Sequence, residues 1–278
     1  MPPTLPSEAI RRRVVDHVRG FFNEDGQGEP PSDDALFERD TPIRMVHADI
    51  VGMMVGGIRG LLLQMLHPHA LQGVLDHSDF RADMHGRLRR TARFIATTSF
   101  GQRDRAEAAI ARVNRIHEVV KGTLPDGTPY SARDPRTLAW VHVAEADSFL
   151  AGYLAYAKPA WPMAKQDEYF RQFAGVARRL GADPVPETRR EADALLRDFR
   201  PELKATPEAR EVARLVLSQR PEGTPRAVQR AVGQAAVDLL PAYARQMLGL
   251  KSGGLAVLPA RAVTRGIAGG LRWAFRQG

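Results

Sequence analysis

Between its prolines and glycine-rich breaks this chain repeats its apolar residues at three- and four-residue intervals, and no stretch alternates them convincingly. The first spacing puts apolar side chains on one helix face, whereas alternation would mark a half-buried strand. The expectation is therefore an all-α protein, one globular multi-helix domain spanning residues 1–278. Aromatic residues make up only 7%, which argues against a sandwich or barrel, whose strands draw on them. At 278 residues, with 44% hydrophobic and 26% charged, the chain can bury a sizeable core and is not of disordered composition.

The predicted helices begin with residues 7–22, followed by a short one capped by Ser32-Asp33-Asp34 and reaching Phe37. A long apolar helix runs from Met45 to Leu66 and closes at His67-Pro68, where proline suits the first turn of the next helix. Helices over 83–99 and 103–121 flank Phe100-Gly101, and residues 122–133 form a loop around a Pro-Asp-Gly turn. Asp134-Pro135 caps a helix reaching about Ala157, and further helices fall near 165–181, 187–199, 207–218, 224–248 and 255–276. Glycine costs a helix ~1 kcal/mol relative to alanine. Gly52, Gly56, Gly57 and Gly60 in one helix thus call for a compensating close approach, of a neighbouring helix first and of a flat ligand second.

Composition removes several chemistries. With no cysteine there are no disulfides, iron–sulfur clusters, thiolate zinc sites or cysteine nucleophiles, and the default setting is cytoplasmic. No secretory leader is visible at the N-terminus. The longest apolar stretch, Ile50 to Ile58, falls well short of the ~20 residues a membrane span needs. The net charge of +8 comes from arginines spread along the chain with acidic residues beside them, so nucleic acid is not an expected partner. A basic C-terminal helix carrying Arg261, Arg265, Arg272 and Arg276 either packs on the core with its arginines in water or touches an anionic membrane.

All eight histidines lie in the first ~160 residues, which puts any site chemistry there and leaves the later helices as core or cover. His117 shares an apolar face with Ile110, Val113 and Val120. A lone histidine on such a face is more often a satisfied core residue than a ligand. Its neighbours change the weighing. Arg87, Arg90 and Thr91 share a face upstream, His142 sits in Leu-Ala-Trp-Val-His with Glu145 one turn on, and His67-Pro-His69 marks a helix junction. A zinc site built from His67 and His69 with His117 or His142, or a two-histidine, one-carboxylate iron site, is permitted but lacks a spacing signature. His67 reads best as a cap at the proline junction. No Gly-x-Ser-x-Gly and no phosphate-binding glycine loop occurs.

The ordered strings Gly60-Leu-Leu-Leu-Gln-Met-Leu-His-Pro68, Gly73-Val-Leu-Asp-His-Ser78, Arg87-Leu-Arg-Arg-Thr91, Phe100-Gly101 and Val113-Asn-Arg-Ile-His117 carry a resemblance. Gly122-Thr-Leu-Pro-Asp-Gly-Thr-Pro-Tyr130 and Asp134-Pro-x-x-Leu-x-Trp-Val-His142 continue it. Together, over about residues 40–245, they resemble the bacterial and fungal MpaB-type or latex-clearing-protein (rubber oxygenase) catalytic domain. The resemblance implies an all-α fold around a heme b pocket and an oxidoreductase that uses dioxygen on an apolar, unsaturated substrate. It implies His117 as the iron ligand, Arg87 and Thr91 as groups beside the heme, and His142 in support. Arg90 stands where the rubber-cleaving branch has a lysine that approaches the iron. A guanidinium keeps its proton and cannot ligate as an amine does, so Arg90 would pair with a propionate or a polar substrate. The catalytic group implied is Arg87, Arg90 and Thr91, and the cofactor-binding group adds His117 and His142. No general base is named, although Asp76, His77 and Asp79 lie in the right segment. The alternative is a non-catalytic heme or apolar-ligand carrier on the same fold.

Overall fold

In the computed structural model, residues 31–220, 223–253 and 266 are described. Eleven α-helices run through them: α1 (Pro42–Ala48), α2 (Ile50–Gln64), α3 (Pro68–His77), α4 (Met84–Phe100), α5 (Arg103–Val119), α6 (Pro135–Tyr156), α7 (Met163–Leu180), α8 (Arg189–Asp198), α9 (Pro207–Ser218), α10 (Arg226–Leu239) and α11 (Ala242–Leu248). The fold is all-α, with one small antiparallel pair, β1 (Lys121–Thr123) and β2 (Pro129–Ser131).

The centre of the molecule is the crossing of α2 on α6, its most extensive helix–helix contact. Helix α6 is apolar nearly all round, as a helix enclosed by others must be, and buries Leu138, Trp140, Val143, Phe149, Leu150 and Tyr153 among others. The two backbones come close because the contact is floored by glycine. A Cβ added to Gly56 would stand 2.6 Å from the Ser148 carbonyl oxygen, and one added to Gly52 would stand 3.1 Å from the Tyr153 nitrogen. Two of the four glycines therefore serve helix packing, the first of the two readings. Around this pair, α10 and α9 lie against α2, α1 joins α2 to α7 and α4, and α4 and α5 form a helical hairpin.

A buried ion pair ties the layers together. Arg59 on α2 donates to Asp147 at 2.6 Å, to the Ser148 hydroxyl at 2.6 Å and to the Leu239 carbonyl at 2.9 Å. Arg189 on α8 adds a contact at 3.1 Å to the other Asp147 oxygen. One arginine thereby joins α2, α6 and the end of α10.

Four details differ from the sequence expectations. The long helix predicted from Met45 begins earlier and bends by 88° at Asp49, whose carboxylate accepts from the Gly52 amide at 2.7 Å and so starts α2 afresh. The helix predicted over 224–248 breaks at Pro241, which cannot donate to the turn before it. The loop at 122–133 carries two three-residue strands, too short to show alternation, joined where Gly127 adopts φ +87°. Residues 32–37 bend without forming the expected capped helix. The helices predicted at 7–22 and 255–276 lie outside the described residues, apart from position 266. No single described helix is long and apolar enough to cross a membrane.

Candidate functional site

A cavity of about 180 Å³ opens beside the α2–α6 crossing, bounded by α2, α4, α6, α9 and α10. Its walls are chiefly apolar: Met53, Ile58 and Leu61 from α2, Leu88 and Ile95 from α4, Phe149 from α6 and Val216 and Val232 from the later helices. The other two glycines of α2 border this space. A Cβ on Gly57 would meet only the Phe149 ring, at 4.0 Å, and a Cβ on Gly60 would stand 3.7 Å from the Glu145 Cα. A Cβ on Gly60 would also meet the Ser148 side chain of α6 at 3.5 Å, so of the four glycines only Gly57 borders the cavity without a close neighbour on α6.

Arg87 and Thr91 of α4 both line the cavity, one helical turn apart. The Thr91 hydroxyl donates to the Arg87 carbonyl at 3.2 Å, and Thr91 is exposed, so the cavity reaches the surface at this end. Arg87 is half-buried and pairs with no described residue. Burial, with Arg90 nearby, pulls its pKa below the ordinary arginine value. A guanidinium in that setting is open to an anionic or electron-rich group.

The remaining expected residues stand elsewhere. Arg90 is exposed and donates to Asp83, the carboxylate that caps α4, at 3.1 Å. It does not border the cavity, which leaves it in an exposed ion pair of small energetic weight. His142 is buried edge-on against Phe173 with ring centroids 4.9 Å apart. Its Nε2 is buried without a hydrogen-bond partner among the described residues, and burial, aided by Arg178, takes its pKa down to about 3. His47 flanks the same Phe173 ring at 5.0 Å and is held to about 3 by burial. Both imidazoles are neutral members of an aromatic core.

His117 sits in the last turn of α5, the helix hairpinned to α4, and is half-buried. Its Nδ1 is buried with no hydrogen-bond partner among the described residues. Burial, followed by the charge of Arg133, lowers its pKa, so the ring is neutral at pH 7. A neutral imidazole with an orphaned ring nitrogen is the ligand form of histidine. These features, which His47, His67 and His142 share, would suit an iron ligand in kind, and the unpaired Arg87 would suit a propionate partner. In place the fit is looser, since His117 does not border the cavity.

His67 stands at the N-cap of α3 without capping it through its side chain. Instead its Nε2 lies 3.5 Å from Glu202, and its ring stacks on Trp140. Among the described residues no group of three or more histidines and carboxylates is placed to hold a metal ion, so neither the zinc nor the two-histidine iron arrangement is assembled there. Asp76 accepts a hydrogen bond from the Tyr130 hydroxyl at 2.5 Å, and His77 meets the Lys121 carbonyl at 3.1 Å. Those two fasten α3 to the hairpin.

One cavity residue went unnamed as a site from the sequence. Glu145 lines the cavity from α6, makes no hydrogen bond or ion pair with a described residue, and is pushed up to about 7 by burial. The signal was present. Glu145 is one of two acidic residues, with Asp147, in the largely apolar run Leu138–Leu150.

The family described as ER-bound oxygenase mpaB/B'/Rubber oxygenase, catalytic domain, matches residues 44–273. No curated protein and no solved structure matches the chain.

Proposed function

This chain belongs to the mpaB/rubber oxygenase catalytic-domain family, and from that premise we propose that it is an oxygenase acting with dioxygen on an apolar, unsaturated small molecule bound in the cavity beside α4. Membership supports the oxygenase reaction, a small-molecule substrate and dioxygen as its partner. The observation that carries the reading to a place is the apolar cavity on which Arg87 and Thr91 converge.

We further propose heme b as the cofactor. His117 would hold the iron through its neutral imidazole, and Arg87 would pair with a propionate. Heme, when bound, supplies the iron at which dioxygen is activated. The chain's own side chains do the rest. The Met, Leu, Ile, Val and Phe walls exclude water and hold an apolar body by contact area. Thr91, at the open end, is tied to the helix backbone and so presents its hydroxyl in a fixed direction. Arg90 remains paired with Asp83 and takes no part in ligation. His142 stiffens the core behind the cavity through Phe173.

The test is a pyridine hemochromogen assay on protein expressed with heme supply. One heme per chain, lost in His117→Ala while the fold persists by circular dichroism, is the expected result. Absence of a Soret band from folded wild-type protein contradicts the heme assignment. The second reading, an apolar-ligand carrier on the same fold, draws on His117 lying outside the cavity lining. It predicts ligand binding without heme and without dioxygen consumption.

A further inference from the structure

We propose that Glu145 is a polar reading point on the α6 wall of the cavity, so that its occupant is an apolar molecule bearing a carbonyl or hydroxyl oxygen that meets this carboxyl. The proposal rests on the reading of the cavity as the substrate site and adds to it the chemical class of the substrate.

The geometry is specific to position 145. Glycine at position 60 lets α2 pass close to the Ser148 side chain and the Glu145 backbone, and Met53, Leu61, Ile95 and Phe149 line the same cavity as Glu145. No described residue pairs with Glu145. The charged and titratable groups facing it from the packed elements are few. Arg87 and Arg89 line the same cavity from α4, yet neither contributes to its titration, which burial alone displaces. Tyr169 packs from α7, its pKa raised by burial and then by the nearby charges of Glu145 and Asp147, and its hydroxyl donates to the Ala146 carbonyl at 3.2 Å. Arg59 on α2 is taken by Asp147, and α9 and α10 bring Val216, Gln219, Gln229 and Val232. An unpaired carboxyl in apolar surroundings costs stability that a leucine of similar volume would not. A ligand oxygen removes that cost. With its proton held to about pH 7, Glu145 donates to a carbonyl below that pH and accepts from a hydroxyl above it.

The cavity's size sets the probe, since an apolar cavity of ~150 Å³ holds benzene. Titration calorimetry of the purified protein, with and without added heme, compares toluene with acetophenone, whose oxygen only accepts. The expected result is acetophenone bound about tenfold more tightly than toluene at pH 6, with the preference gone at pH 8.5. Glu145→Leu binds the two equally at both pH values. Glu145→Gln, which keeps a donor that does not titrate, retains the preference at both. Equal binding of the two probes by wild-type protein, or a preference surviving in Glu145→Leu, overturns the assignment of Glu145 while leaving the cavity as a binding site. Binding of neither probe overturns the cavity reading and the proposal with it.

Discussion

Asp147 and Glu145 stand two residues apart on α6, in one apolar run, and their surroundings are opposite. Asp147 is enclosed by arginines: Arg59 at 2.6 Å and Arg189 at 3.1 Å, with exposure of 3% on its side chain. Glu145 faces a cavity and pairs with nothing described. A buried charge held between two arginines keeps elements in register. One left unmet at a cavity wall does no such work, and is the group proposed above to meet a ligand oxygen. The same division runs along α2, where Gly52 and Gly56 meet the α6 backbone while Gly57 and Gly60 border the cavity. Packing contacts and cavity lining thus alternate along a single helix crossing.

The largest effect expected from this contrast is at Asp147. Asp147→Ala strands Arg59 in a buried site, and loss of one partner of such a pair costs about 3–5 kcal/mol. Chemical denaturation should show that loss, and a change below 1 kcal/mol would mean the pair is not structural. Next comes the glycine pair. Gly56→Val drives a side chain into the Ser148 carbonyl and should cost at least ~1–3 kcal/mol by overpacking. Gly57→Phe, pointing into the cavity, should leave stability within about 1 kcal/mol of wild type. Equal effects at the two positions would erase the division.

Glu145 makes a contribution smaller than that of the ion pair, and a pH-dependent one. Its pKa rises on folding from 4.5 to about 7, so the unfolded chain loses this proton first. Folded stability therefore falls as pH climbs between about 4.5 and 7, by roughly 2 kcal/mol once water in the cavity is allowed for. Glu145→Gln should remove that slope. A slope unchanged in the variant would assign it to other groups.

The all-α fold and most helix ends were legible because periodicity, Asp-Pro and His-Pro junctions are local signals. The breaks at Asp49 and Pro241 were not, since apolar spacing continues through both. The hairpin at Lys121–Ser131 was hidden by its shortness. For the site, Arg87 with Thr91 was readable from helical spacing and the family motif. The outward turn of Arg90 depended on Asp83, seven residues upstream, and on which way α4 rolls. Glu145 was visible as a charge in an apolar run, but the sequence gives no way to see that Asp147 takes the available arginines and Glu145 none.

The proposed reaction site is the cavity beside α4. Gly57→Phe fills it from a position with no other obligation. Dioxygen uptake measured with a panel of apolar alkenes, in wild type and in this variant matched for heme content, tests the claim directly. Uptake by wild type, and its loss in the variant with the fold intact, is the expected result. Uptake undiminished in Gly57→Phe, or none by heme-loaded wild type on any alkene, would contradict it.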